Sequence, residues 1–217
     1  MSLENLLLKA GRPLNWDGVY PHQDSNTLFR MYNFATVEDI VDKGPNKITV
    51  TKNGTFTTAV NPTYGPYTRM NTGNFLSWSS ALLNGQSLDI TMIIGNFTFS
   101  LSSSPALVDC RPTSTNGNYF VVSGKGSPPF ATSFYFNSVQ SPSSTTLDTS
   151  SFPVVLVFKL RPNVQEVWAN GLKIISWPGN FTYAASQNYK IGRHAFAGSA
   201  NIPNLQADLY YFDTKKV

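Results

Sequence analysis

Three glutamates, Glu4, Glu38 and Glu166, and two histidines, His22 and His194, are what the chain offers for general acid–base work beyond its aspartates. Glycoside hydrolysis needs two carboxyl groups facing each other across the scissile bond, about 5 to 9.5 Å apart. The glutamates lie far apart in sequence, so a hydrolase would have to join Glu166 to a distant aspartate, and no catalytic residue is expected. His194, in Ile191-Gly-Arg-His-Ala-Phe196, reads as a loop histidine rather than the base of a Ser-His-Asp site. One cysteine, Cys110, excludes an intramolecular disulfide and a multi-cysteine zinc site, and a buried strand thiol in a reducing compartment is expected. No phosphate-binding glycine loop, metal-spaced histidine pair or EF-hand run occurs, so no metal or other cofactor is expected.

Binding chemistry is better supplied. Sugars are held by flat aromatic faces together with polar side chains that hydrogen-bond their hydroxyls. Trp168 and Trp177 lie in a segment that also carries Glu166 and Lys173, and the stretch after it supplies Tyr183, Asn188, Arg193 and His194. These eight are the candidate carbohydrate-binding residues. Trp78 and Trp16 read as anchors of the core and of an N-terminal arm.

The element that must position the candidates is Val154–Trp177. Val154–Leu160 is an apolar, valine-rich run too short for a first guess of helix, and it reads as a buried strand. Val164–Ala169 and Leu172–Trp177 flank Asn170-Gly171, a pair that favours the positive φ values of a type I′ hairpin turn. A regular two-residue loop pairs Ala169 with Leu172, Trp168 with Lys173, Val167 with Ile174 and Val164 with Trp177. One face then holds Val167, Ala169, Leu172 and Ile174. The other holds Val164, Glu166, Trp168, Lys173, Ile175 and Trp177, a mixture expected to be partly wet.

Hydrophobic residues make up 41% of the 217 and charged residues only 13%, so Ser, Thr, Asn, Gln and Gly must cover the surface, which favours strands over solvated helices. The net charge of +4 is scattered with no Lys/Arg run, and no nucleic-acid partner is expected. No apolar run reaches membrane-spanning length and Leu6-Leu7-Leu8 is too short for a signal peptide, so neither membrane insertion nor secretion is expected. Residues 1–25 read as a short helix, capped by Ser2 and ended by Gly11 and Pro13, followed by an irregular arm. Its Leu3, Leu6, Leu7 and Trp16 are candidates for oligomer or particle attachment. Residues 26–217 read as one domain of short strands separated by turns such as Gly44-Pro45, Asn53-Gly54, Gly65-Pro66 and Asn170-Gly171. Ile48–Thr51 is among the expected strands, Val37–Val41 is expected to make one helical turn, and Gln140–Ser151 an exposed loop.

The order of these segments resembles the laminin-G-like, concanavalin-A-like jelly roll. The resemblance is carried by Leu28–Asn33, Asn46-Lys-Ile-Thr-Val-Thr51, Gly73-Asn-Phe-Leu-Ser-Trp78, Ser87-Leu-Asp-Ile-Thr-Met-Ile93 and Leu107-Val-Asp-Cys-Arg111. Asn116-Gly-Asn-Tyr-Phe120, Trp168-Ala-Asn-Gly171, Ile191-Gly-Arg193 and Ala207-Asp-Leu-Tyr-Tyr-Phe212 complete it, covering about residues 26 to 213. It implies an all-β, two-layer antiparallel sandwich. Retaining glucanases of that group carry Glu-x-Asp-x-x-Glu, which is missing here. Calcium, known in laminin-G relatives, would have to draw on Asp109, Asp148 and Asp208, which form no cluster in the sequence. The step Asp109-x-Arg111 and the residues after it look like versions found in bacteriophage tail-fibre and virion surface proteins. The expectation is a non-enzymatic virion module assembled in the host cytoplasm. It would bind host-surface carbohydrate, contact other virion proteins through its arm and form a homo-oligomer, with a trimer as first guess. A purely structural virion protein and a polysaccharide hydrolase are the alternatives.

Overall fold

The computed structural model describes residues 25–71, 73–80, 82, 87–99, 106–110, 118–123, 130–136, 139–141, 145–147, 153–181, 188–192 and 205–217. The strands among them are β1 (Thr27–Tyr32), β2 (Thr51–Asn53), β3 (Thr57–Asn61), β4 (Gly65–Met70), β5 (Phe75–Ser79), β6 (Leu88–Phe99), β7 (Ala106–Asp109) and β8 (Asn118–Ser123). They continue with β9 (Phe130–Phe136), β10 (Val139–Gln140), β11 (Thr145–Leu147), β12 (Val154–Leu160), β13 (Val164–Ala169), β14 (Leu172–Pro178), β15 (Asn188–Ile191) and β16 (Leu205–Lys216). All pair antiparallel, in two sheets of eight. The first runs β14-β13-β12-β6-β16-β4-β3, with β1 joining the long β16 beyond the end of β4. The second runs β10-β9-β8-β7-β15-β5-β2, with β11 added to β9.

The inner faces of the two sheets share one core. Phe29, Met92, Phe158 and Phe212 from the first sheet meet Leu76, Trp78, Tyr189 and Ile191 from the second. Trp78 is the hub: its ring stacks on Phe29 with centroids 4.5 Å apart and on Tyr189 at 5.7 Å, and it meets Phe212 edge-on at 5.1 Å. Burying each such side chain contributes about 1.5–3 kcal/mol, so this quartet holds the two layers together. The chain is therefore the expected two-layer antiparallel β-sandwich of jelly-roll type. Cys110 is a buried thiol at the end of β7, as its apolar context implies.

Several local expectations need correction. Ile48 is not in a strand, because its N–H donates to Asp42 Oδ2 (2.7 Å). The buried Asp42 also accepts from the N–H groups of Arg30 (2.9 Å) and Gly44 (2.7 Å) and so ties the loop after β1 together. A Cβ on Gly44 would lie 2.8 Å from that same carboxylate, which is why glycine stands there. Gly65-Pro66 opens β4 rather than forming the turn; the turn is Asn61–Tyr64, where Asn61 Oδ1 accepts from the N–H groups of Thr63 (2.9 Å) and Tyr64 (3.1 Å). Leu88–Phe99 is the single strand β6, with Asn96 absorbing a left-handed φ of 53° inside it. Part of the expected Gln140–Ser151 loop is β11, paired with β9. Val37–Asp39 makes one 3-10 turn, with Asp39 Oδ2 accepting from the N–H (2.9 Å) and hydroxyl (3.0 Å) of Thr36. Among the described residues no helix is long and apolar enough to cross a membrane. The expected N-terminal helix, with Leu3, Leu6, Leu7 and Trp16, lies outside the described residues.

Candidate functional site

Asn170 and Gly171 adopt φ values of 48° and 80°, the type I′ geometry their identities favour. The Asn170 side chain does more than turn: its Oδ1 accepts from the Val155 N–H at 2.9 Å, while the Asn170 N–H donates to the Val155 carbonyl at 2.9 Å. One residue thus pins the turn to the first residues of β12. Ala169 pairs with Leu172 and Trp168 with Lys173, but Val167 pairs with Ile175, so Ile174 is an extra residue in a β-bulge.

That bulge changes which residues share a face. Downstream of it Trp177 pairs with the buried Gln165, packs against the core and meets Phe181 edge-on at 5.3 Å. Ile175 is likewise core, and Leu172 is 72% exposed at the hairpin tip rather than internal. The regular register puts Trp177 on the same face as Trp168; the extra residue carries it to the opposite face.

Trp168, Glu166 and Lys173 do come together, on the outer face. The indole Nε1–H donates to Glu166 Oε2 at 2.9 Å, and Lys173 Nζ donates to Oε1 at 3.1 Å. Lys159, from β12, places its ammonium 4.6 Å from the Trp168 ring centroid, and Lys173 stands 5.6 Å from it. Burial raises the pKa of Glu166, but the Trp168 N–H and the Lys173 ammonium, with Lys159 beyond them, outweigh it, and the carboxyl sits below its ordinary value.

Cross-strand registers extend this cluster over the sheet. One row runs Lys215, Asp89, Lys159, Glu166, Ser176 across β16, β6, β12, β13 and β14, with charge alternating over its first four members. Asp89 is anchored by Arg161 Nη2 at 2.5 Å, whose Nη1 also donates to the Leu88 carbonyl at 2.8 Å. The next row runs Arg30, Asp213, Thr91, Val157, Trp168, Lys173. Within it the buried Asp213 accepts from Arg30 Nη2 (3.3 Å) and from the Tyr211 hydroxyl (2.6 Å).

The second sheet's outer face carries a groove of about 290 Å³ lined by Thr49, Thr51, Ser77, Trp78, Ser79 and Lys190. Thr51, Ser77 and Lys190 form one cross-strand row over β2, β5 and β15. Asn188 belongs to this sheet, its backbone paired with Ser79, and not to the neighbourhood of Trp168. Tyr183, Arg193 and His194 lie outside the described residues. Of the acids weighed for calcium, Asp208 is held by Arg69 Nε (2.7 Å) and Nη2 (3.0 Å), Asp109 is buried in β7, and Asp148 is outside the described residues. Lys159 and Lys190 were not singled out by motif. Only their cross-strand partners, Glu166 for Lys159 and Ser77 for Lys190, show which face each takes.

No family model and no curated protein sequence matches the chain. Solved structures do match in fold. Botulinum neurotoxin type C, whose entering of cells depends on interaction with two ganglioside molecules, aligns at a TM-score of 0.61 and 11% identity over 88% of this chain and 49% of that one. The binding domain of Paraclostridial Mosquitocidal Protein 1 aligns at 0.60 and 10% identity, again over 88% and 49%. Domain 4 of AbnA, a GH43 extracellular arabinanase from Geobacillus stearothermophilus, solved with arabinotriose, aligns at 0.61 and 13% identity over 88% of this chain and 92% of that one. The chain thus spans about half the length of the toxin chains and nearly all of the arabinanase domain. At these identities the likeness is one of fold.

Proposed function

We propose that the protein is a non-catalytic carbohydrate-binding module and that the outer face of the Asn170-Gly171 hairpin takes the glycan. The observation that carries this is the half-buried Trp168 indole, fixed through its N–H by Glu166 and flanked by Lys159 and Lys173 on a sheet whose other face is buried in the core. Such a platform offers an aromatic surface for sugar C–H groups and ammonium donors for oxygens, already positioned before a ligand arrives. Among the described residues Lys159 donates to no carboxylate, which favours a sugar bearing an acidic substituent. Glu166 does not suit the general acid of a hydrolase, which must hold its proton near neutral pH, because this carboxyl is held below its ordinary value. The ganglioside-dependent toxin and the arabinotriose-bound domain add support by analogy of fold. Glycan-array binding of Trp168→Ala and Trp177→Ala, each separately, tests the site. Trp168→Ala is expected to lose binding and Trp177→Ala to keep it with lower stability; undiminished binding by Trp168→Ala overturns the assignment.

In its finer form the proposal places this module on a virion surface, attached through residues 1–25 and Leu3, Leu6, Leu7 and Trp16, as a homotrimer. The ordered segment resemblance and the weakly charged surface support that reading. Sedimentation of the chain with and without residues 1–25 tests it, the expected result being a trimer that falls to monomer on truncation while glycan binding per chain persists. A monomeric intact chain removes the oligomer. A trimer that binds no sugar in any array favours the purely structural alternative.

A further inference from the structure

We infer that the groove on the outer face of the second sheet is a separate ligand site that takes a single sugar ring. Its volume, about 290 Å³, sits at the lower end of the range of about 300–1,000 Å³ for small-molecule pockets, so it suits one ring rather than an extended chain. The lining is built largely of hydroxyls: Thr49, Thr51, Ser77 and Ser79, each able both to donate and to accept. Ser77 Oγ accepts from Asn53 Nδ2 at 3.0 Å, which leaves the Ser77 hydroxyl proton to donate to a ligand oxygen. Lys190 lies in the same row, and its ammonium stands 5.6 Å from the Phe75 ring centroid, so a cationic donor and a half-buried aromatic surface adjoin the hydroxyls. Asp109 occupies the next position of that row, beside Lys190. A ring with hydroxyls on its edge matches this hydroxyl-rich lining.

The inference rests on the protein being a carbohydrate binder, but it needs nothing from Trp168, which lies in the other sheet. The test is amide NMR of the full chain titrated in turn with methyl α-D-galactopyranoside, L-arabinose and N-acetylneuraminic acid. The expected result is shifts at the amides of residues 51, 77, 79 and 190 with at least one of these sugars. Ser77→Leu, which fills the groove from a half-exposed position, should weaken that sugar at least about tenfold, with Thr51→Val as a milder second variant. Trp168→Ala should leave these shifts unchanged. Shifts confined to residues around 159, 166, 168 and 173 overturn the groove while upholding the hairpin site. Shifts in the groove alone do the reverse, and the absence of shifts anywhere overturns both. Undiminished groove binding in both groove variants also overturns the assignment.

Discussion

Glu166 shows how one side chain sets the chemistry of a surface. Its two oxygens are divided between the Trp168 N–H and the Lys173 ammonium, so the carboxylate orients the indole and draws in a cation together. Its folded pKa lies below the ordinary value of 4.5, so the stability it contributes is present above that value and is lost as pH falls through the folded value. Glu166→Gln is therefore expected to lower stability by about 0.5–1 kcal/mol near neutral pH and by nothing once the wild-type carboxyl is protonated. Urea unfolding midpoints at about pH 7 and about pH 2 check this, and an equal deficit at both removes the ionic contribution. Part of this cluster is legible in the sequence, since residues two apart on a strand share a face and Trp168 and Glu166 are two apart. Lys159 is not, because in Val-Val-Leu-Val-Phe-Lys-Leu it reads as an interruption of a buried strand; only the partner across the ladder shows that its alternate position faces Glu166. Trp177 departs from its expected face for the opposite reason: the alternation is regular in the sequence, and one unpaired residue, Ile174, reverses its consequence.

At the scale of the element, the Asn170-Gly171 turn was the clearest local signal in the chain, yet propensity accounts for only half of what Asn170 does. Positive φ is a requirement glycine would also meet. What glycine lacks is the Oδ1 that accepts from Val155 N–H, and Val155 is buried. Asn170→Gly should therefore keep the turn but leave a backbone donor without its acceptor, costing about 1–3 kcal/mol. Amide exchange gives the local reading: Val155 N–H should lose protection while the β13–β14 pairs next to the turn keep theirs. Unchanged protection at Val155 sinks the argument. The same distinction explains Ile48 and Gly65-Pro66, where the strand and turn propensities are genuine but side-chain oxygens of Asp42 and Asn61 take the nearby backbone donors. A side chain that reaches back to the backbone leaves little trace in periodicity, whereas the apolar run of β12 is plain in it.

For the molecule as a whole, the two outer faces proposed to bind ligand are backed by the same inner one. Trp78 lines the groove of the second sheet, yet its ring is stacked on Phe29 and set against Phe212, both from the first sheet. Phe29 sits in β1 and Phe212 in β16, the strand that also carries β6, through which the hairpin is attached. Removing the indole therefore withdraws support from both layers. Trp78→Ala should cost about 3–5 kcal/mol, the range for a large aromatic truncated in a core that cannot close around the gap. If the sandwich is one cooperative unit, the loss is shared, and exchange protection should fall by the same free energy in β12 of the first sheet and β15 of the second, with far-UV circular dichroism and tryptophan fluorescence changing at one denaturant midpoint. Loss confined to β5 and β15 would instead show that the second sheet opens alone. The two candidate sites would then be energetically independent, and a substitution under the groove could not weaken glycan binding at the hairpin through stability.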